Sequence, residues 1–564
     1  MGAVAQQHDA GTVTAEICLS ESHGWRRWRH GATALWFKGH VRKRGGDDLA
    51  RDLDTLGAHI ATDALEAWLC GLDGHFALVA QGTFGTLVAA DRVRTIPLIW
   101  CRDGSGTVLI SQNGAPLSHR LGLGPQDASP LSVSAVALAG FTIGDETLYP
   151  AIRQIGPGQY TLFSNGTPRM ARYHQFRPWL PEAASDSALE TQLLAATEEI
   201  IQVLIESAAG RPIALPVSAG LDSRLIAAGL KHFGHRDVLC FAYGQPGNHE
   251  AEASRAIAER LGYPWRFVPY TQARQRAAFA SADYAAFLAS ADSLTGVHFP
   301  QDYLALTELL KDGWLPKDAV LVNGQSGDFI SGNHIPAALA APQKGSDPEP
   351  RRARIVDALM AKHFCQWGRG AVGDVNDTLR ARLGEEIDAV GLPASSECDY
   401  GIYEWCEFQD RQSKYVVGGQ RVYEHLGLDW RLPLWDQRYL DFWERAPLAA
   451  KTHQRLYRAM LTNANWGGVW RDIPVNRKTI KPAWVVPLRF AAKMAHAPLG
   501  KKRWREFERR YVQYWTSPLC NYALVPYGRV AGDARGHRSG VAWHIEAYLA
   551  GKSLGLDGLP RKAA

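Results

Sequence analysis

Cysteine is sparse and scattered in this sequence. The 564 residues hold eight cysteines (Cys18, Cys70, Cys101, Cys240, Cys365, Cys398, Cys406 and Cys520) and no Cys-x-x-Cys pair. That pattern excludes a zinc ribbon and a disulfide framework, and it predicts reduced thiols in a cytoplasmic setting. Excess charge is also lacking. A formal net charge of +5 is small for this length and gives no reason to expect a nucleic-acid partner. No apolar run has bilayer length; the most apolar late stretch, Pro482–Leu488, is far too short to span, so no transmembrane segment is expected. Met1 to Asp9 lacks the charged-then-apolar pattern of a leader. What is present, 46% hydrophobic and 21% charged residues, is the composition of a soluble globular chain, too long for one core and so expected in two or three domains.

The most informative stretch is Ser218-Ala219-Gly220-Leu221-Asp222-Ser223. A strand-length apolar run, Ile213–Val217, precedes it, and a helical apolar pattern from Arg224 to Leu230 follows. Strand, tight loop and helix form a natural oxyanion site, because the first-turn N–H groups have no partner within the helix and its dipole favours negative charge. Gly220 permits close backbone approach, Ser218 and Ser223 add hydroxyls, and Asp222 adds a carboxylate suited to Mg²⁺. No Lys precedes the last Ser, so this is not the Gly-rich loop whose Lys reaches the terminal phosphates. Pro216 cannot donate to a ladder and is expected just past the strand end.

Residues from about 10 to 175 read as short strands with Gly-rich turns, among them Phe76–Ala80, Thr86–Ala90 and Pro97–Trp100, which predicts stacked sheets. Asn165-Gly166-Thr167 matches a glycosylation sequon, but its place between two strand-like runs predicts a hairpin turn. Phe176–Asp186 is a Pro-bearing connector, and Leu189 to Ala208 is helical in period. Beyond it, Val238–Gly244, the helix Glu250–Leu261, Trp265–Val268 and the strand Ala319–Val322 alternate as in a doubly wound parallel sheet. Pro342–Arg352 is expected as a surface excursion. The stretch Glu404–Tyr415 reads as a helix in which Glu407 and Arg411 are spaced as an i,i+4 pair. The tail from Gly500 is basic and reads as a solvated face or as one that meets an anionic partner.

The first loop resembles the SGGxDS loop of ATP pyrophosphatases. Asn323-Gly324-Gln325-Ser326-Gly327-Asp328-Phe329-Ile330-Ser331-Gly332 resembles SGEGSDELFGG, the second signature of asparagine synthetases, and Trp430–Asp436 resembles their ARVPFLD element. Leu72–Ala77, Asp91-Arg92, Thr147–Pro150 and Gly156–Gly158 look like the N-terminal glutaminase domain of the same family. The resemblance implies an α/β chain. An N-terminal two-sheet α+β domain of the Ntn-hydrolase kind would occupy residues 1–180, a parallel-sheet ATP-pyrophosphatase domain with a helical C-terminal part 187–500, and a basic extension 501–564. It implies ATP contacts at Val217, Ser218, Gly220, Leu221, Asp222, Ser223, Gly324 and Gln325, with adenine against Phe241, Ala242 and Tyr243. It implies Mg²⁺ held by Asp222 and Asp328, an acidic partner at Asp410 with Glu407 second, and a charge-stabilising Lys478 with Lys481 the alternate. A fixed cation at the last position is worth several kcal/mol to developing oxyanion charge.

Three departures matter. The family's glutaminase cysteine is the first residue of the mature chain, whereas this sequence begins Met1-Gly2-Ala3 and its first cysteine is Cys18. A thiolate served by its own α-amino group has no substitute there. The first Glu of the second signature is Gln325, which cannot take a proton, and the second is Phe329. The expected activity is an ATP-dependent, AMP-forming amide ligase without its own glutaminase. Its wording, above all over Gln412–Asp436, looks most like the branch found with bacterial surface-polysaccharide biosynthesis. The acceptor would be a small-molecule or sugar-linked carboxylate, and nitrogen would come from ammonia, an amine or a separate glutaminase. Intramolecular amide closure, as in β-lactam synthetases and lasso-peptide cyclases, and a non-catalytic scaffold are the alternatives.

Overall fold

The computed structural model describes residues 14–57, 61–164, 168–298, 300–341, 347–368, 374–475 and 479–556. The hairpin tip Asn165-Gly166-Thr167, the segment Met1 to Asp9 and Lys478 lie outside them.

Ten strands form the N-terminal part: β1 Ala15–Cys18, β2 Arg26–His30, β3 Thr33–Val41, β4 Gly74–Gly82, β5 Gly85–Ala90, β6 Ile99–Arg102, β7 Val108–Ser111, β8 Ile152–Gln154, β9 Gln159–Phe163 and β10 Arg169–Arg172. They make a four-stranded sheet in the order β1-β7-β6-β8 and a six-stranded sheet in the order β10-β9-β5-β4-β3-β2. The two sheets pack face to face through residues such as Val79, Val88, Trp100 and Ile110, with Trp100 edge-on to Phe163 at 4.9 Å. Strands β9 and β10 pair antiparallel, Leu162 opposite Arg169, as a hairpin requires.

A second unit is built on five strands: β11 Ile213–Pro216, β12 Val238–Gly244, β13 Trp265–Pro269, β14 Val320–Val322 and β15 Asp429–Arg431. All are parallel, in the order β13-β12-β11-β14-β15. The chain winds outward from β11 to β13 and then crosses to β14, so the strand order reverses between β11 and β14. Ligands of open parallel sheets bind beyond the carboxyl ends at such a reversal, and both signature loops leave the sheet there. The core strands are short apolar runs, as burial on both faces demands.

Three expectations need correction. Pro216 is the last residue of β11, opposite Phe241, not beyond it. It is tolerated because Ile213 and Val217 donate toward β12, so the alternate residue Pro216 faces β14, where the ladder has already ended at Ala214. Of the expected excursion Pro342–Arg352, residues 342–346 lie outside the described residues, and Pro348–Arg352 instead begin a helix, Pro348–Lys362. Asp347 caps it, Pro348 sits at the first helical position where no N–H is needed, and buried Arg351 pairs with Asp399. The predicted helix over Glu404–Tyr415 is helical only to Glu407 and then continues as wider i→i+5 turns from Phe408 to Val416.

The C-terminal residues are integrated with the rest. Helix Val541–Gly551 packs on helix Pro130–Ala139 of the N-terminal part. Buried charges join the two main units. Lys38 donates to Glu424 at 2.6 Å, Arg421 lies 2.7 Å from Glu424, and Lys414 binds the carbonyls of Thr142 and Gly144.

Candidate active site

A cleft of about 760 Å³ opens at the strand-order reversal, walled by the turns after β11 and β14, the end of β12, the widened helix and Ser517–Leu519. The turn after β11 folds on itself. The Ser218 N–H donates to Ser223 Oγ at 3.0 Å, the Gly220 N–H to Ser218 Oγ at 3.1 Å, and the Ala219 N–H to Glu250. The following helix, Asp222–His232, has no side-chain cap at its N-terminus. Its first-turn donors are therefore left for an anion. Buried Arg224 fastens this turn from behind, donating to the Ala219 carbonyl at 2.7 Å and to the Ile473 carbonyl at 2.9 Å.

The second turn lies directly on the first. A Cβ on Gly324 would come within 2.7 Å of the Ser223 nitrogen, and one on Gly327 within 2.5 Å of the Asp222 carboxyl. Only glycine permits that approach. Between them Ser326 adopts a left-handed φ of 71° and binds Gln412. The result is that the Asp328 N–H donates to Asp222 Oδ2 at 3.0 Å, and both side chains line one cleft. Tyr457 holds the other Asp222 oxygen at 3.0 Å.

The electrostatics are unbalanced. Burial, and then the charge of Asp328, push the Asp222 carboxyl up to about 8. Burial would also raise Asp328, but the hydrogen bond and charge of His334, 3.1 Å away, outweigh it and hold this carboxyl below its usual value. His334 also contacts Glu407. Burial acts to lower the imidazole, but these two carboxylates prevail and raise it. Glu407 is fully buried, and against that burial His363 and His334 hold it well below the carboxylate range. Two adjacent carboxylates, one driven toward its neutral form, are a donor set that a hard divalent cation would relieve, so Asp222 and Asp328 fit such an ion.

The cleft gathers Ser218, Gly220, Leu221, Asp222, Ser223, Gly324, Gln325 and Asp328, with Val217 at its back. Of the three expected adenine contacts, Ala242 and Tyr243 line it, whereas Phe241 is wholly buried in the core. Tyr243 stacks on Tyr270 at 5.2 Å and donates to Asp302. Gln325 donates to Gln420 at 2.9 Å, and Phe329 is core, packed near Trp435. Asp410 and Glu407 are not on the cleft wall. Asp410 points to the N-terminal unit, where the Gly144 N–H and Lys414 hold it at 2.9 Å and 2.8 Å. Glu407 does pair with Arg411 at 3.3 Å, but as a buried group. Lys481 is half-buried, with its amine near Gly247.

Sequence reasoning did not find Arg224, Glu250, His334, Arg411, Gln412 or Tyr457. Arg224 reads as an ordinary first-turn residue. His334 follows Asp328 by six residues, a spacing with no helical signature, and is delivered by an i→i+5 turn over Phe329–Asn333.

Residues 202–468, somewhat under half of the chain, match the family model described as asparagine synthase. No curated protein matches the chain. Among solved structures, the chain is similar to the glutamine phosphoribosylpyrophosphate amidotransferase from B. subtilis complexed with ADP and GMP, at 12% identity over 43% of this chain and 72% of that one, TM-score 0.20. It is also similar to a structure described as the allosteric regulatory enzyme of purine biosynthesis, at 12% identity over 43% of this chain and 61% of that one, TM-score 0.18. Likenesses this weak do not bear on fold or function.

Proposed function

From a segment over residues 202–468 that matches asparagine synthase, we propose that this chain is an ATP-dependent amide-forming ligase that activates a carboxylate as its adenylate, releases pyrophosphate and passes the acyl group to ammonia or an amine. One observation carries the reading: two aspartates from separate strand ends meet, backbone N–H on carboxylate, above an uncapped helix N-terminus at the strand-order reversal.

In this reading Ser218, Gly220 and Ser223 bind the phosphates with the first-turn amides, and Ala242 and Tyr243 flank the adenine. Asp222 and Asp328 hold Mg²⁺. A Mg²⁺ bound there supplies positive charge to the triphosphate and to the departing pyrophosphate. His334, whose affinity for a proton Asp328 and Glu407 raise, orients Asp328. Asp410, expected as the base, is turned to the N-terminal unit and held by Lys414 and the Gly144 N–H, so it is not placed to take the amine proton, and Glu407 is held too acidic for the task and fixes His334 instead. Lys478, or Lys481, stabilises charge on the acyl carbonyl.

The acceptor we propose is a sugar-linked uronic acid of surface-polysaccharide assembly, and residues 1–180 serve as a docking unit without glutaminase chemistry. Cys18 ends β1 half-buried, and burial, then Glu16, push its thiol up to about 11, so no thiolate forms at neutral pH. Nitrogen then comes from free ammonia, an amine substrate or a separate glutaminase. The test is ATP–pyrophosphate exchange across uronic acids, aspartate and short peptides, followed by amide formation with ammonia. Exchange with at least one carboxylate is expected. Absence of exchange with all of them, or amide made from glutamine alone by the purified chain, overturns the reading.

A further inference from the structure

Exposed apolar side chains are not spread evenly over this molecule. Of the ten large ones that lie exposed among the described residues, six fall between Trp484 and Leu499. They belong to a helical hairpin made of helix Val485–His496, a tight turn and helix Gly500–Phe507. One face of the first helix is used inward. Val485 is buried, Arg489 pairs with Glu508 and covers Trp504, and His496 packs on Phe507 at 4.4 Å. The outward arc is wide: Val486, Phe490 and Met494 at i, i+4, i+8 line one edge of it, Leu488, about 160° round from Phe490 at 3.6 residues per turn, lines the other, and Leu499 follows in the turn. Leu488, Phe490, Met494 and Leu499 are each 60–65% exposed. A helix apolar on both faces normally lies inside a core; this one is covered on one side only.

Charge says what covers the other. From Trp484 to Phe507 there is one acid, Glu506, which pairs with Arg503, against six cations: Arg489, Lys493, Lys501, Lys502, Arg503 and Arg505. Lys493, Lys501 and Lys502 are exposed, with no ion pair among the described residues. A raised apolar ridge bordered by free cations complements a surface with hydrocarbon below and negative charge above. The helix itself, about 18 Å long at 1.5 Å per residue, lies on such a surface and does not cross it; no helix of the described residues is long and apolar enough to span a membrane.

We infer that the hairpin of residues 484–507 docks this protein on an anionic phospholipid bilayer, with Leu488, Phe490 and Met494 inserted at the interface and Lys493, Lys501 and Lys502 on the headgroups. The placement bears on the cleft. The start of the hairpin lies against the cleft wall: Trp484 packs on Trp515 at 5.6 Å, the Trp515 carbonyl accepts from Gln245, and Ser517–Leu519 wall the cleft two residues on. Docking therefore sets the cleft mouth near the lipid, where a lipid-carried acceptor would be presented.

The experiment is flotation of the full chain with vesicles of phosphatidylglycerol and phosphatidylcholine, against vesicles of phosphatidylcholine alone. The chain is expected to float with the anionic vesicles and to be released by high salt. The variant Leu488→Ser/Phe490→Ser/Met494→Ser, whose changes are all at exposed positions, is expected to lose roughly tenfold in partitioning or more with an unchanged melting temperature. Lys501→Glu/Lys502→Glu is expected to lose the preference for anionic lipid. Failure to float, equal flotation of the triple-serine variant, or sedimentation of the wild type as a dimer that this variant dissociates, which assigns the face to a second copy, each overturns the inference. None of these readouts needs ATP or amide formation, so they fail or succeed independently of the ligase reading.

Discussion

Two of the buried charge clusters among the described residues are built on opposite principles. At the junction of the two units the buried carboxylate is matched by cations. Glu424 lies between Lys38 and Arg421, which overcome the cost of burial and hold its carboxyl below the usual value. In the cleft, Asp222 faces a second carboxylate and only a tyrosine hydroxyl and a backbone N–H, and it is driven up to about 8. A satisfied cluster fastens elements together; an unsatisfied one waits for a ligand. The contrast separates groups that hold the fold from groups that work in it.

The largest effect comes from breaking the unsatisfied cluster. Asp222→Asn is expected to lower ATP–pyrophosphate exchange by roughly a thousandfold, about 4 kcal/mol. The same change is expected to raise the stability of the metal-free protein, by about 1 kcal/mol, as relief of strained functional groups does. Exchange kinetics and thermal unfolding check the two halves. Breaking the satisfied cluster works in reverse. Glu424→Gln leaves Lys38 and Arg421 buried without a counter-charge and is expected to cost about 3 kcal/mol in a denaturant titration, with exchange by the folded protein retained.

The two clusters also respond oppositely to pH. Glu424 has a depressed folded pKa, so its contribution is complete above its unfolded value of 4.5 and is lost as pH falls through the folded value. The stability gap between wild type and Glu424→Gln therefore closes in acid. Asp222 has a raised folded pKa, so the native state binds its proton more tightly between 3.8 and about 8, and stability falls with rising pH across that window. The gap between Asp222→Asn and wild type, measured with a chelator, opens over the same range. A smaller effect is expected from Arg224→Lys. One ammonium cannot reach both the Ala219 and Ile473 carbonyls as the guanidinium fork does. The KM for ATP should rise by about tenfold, near 1.4 kcal/mol. Cys18→Ser, a near-isosteric change at a half-buried position outside both clusters, is expected to leave exchange within about twofold.

The reading from sequence reached the cleft because its two loops follow buried apolar strands, and strand–turn–helix is a local pattern. It placed Asp222 and Asp328 on turns that the sheet order then brought together. It missed what depends on non-local geometry. β15 has three residues, too few for a periodic signal, and was read only as part of a signature. Asp410 sits on a stretch whose i→i+5 turns rotate it away from the face that a regular helix would present, so Arg411 and Gln412 reach the cleft and Asp410 faces the N-terminal unit. Pro348 and Pro350 signalled a loop, although proline in a first turn starts a helix as readily as it ends one. The buried pair Lys38 and Glu424 lies 386 positions apart in sequence, and no local rule connects them.

The most direct measurement is titration of Mn²⁺, in place of Mg²⁺, into the protein with a non-hydrolysable ATP analogue, followed by the electron paramagnetic resonance signal of free Mn²⁺. Wild type is expected to take up one ion with the nucleotide, and Asp222→Asn and Asp328→Asn are each expected to weaken that uptake by tenfold or more, the scale of losing one charged ligand. Uptake in both variants equal to wild type would contradict a cation shared by these two aspartates.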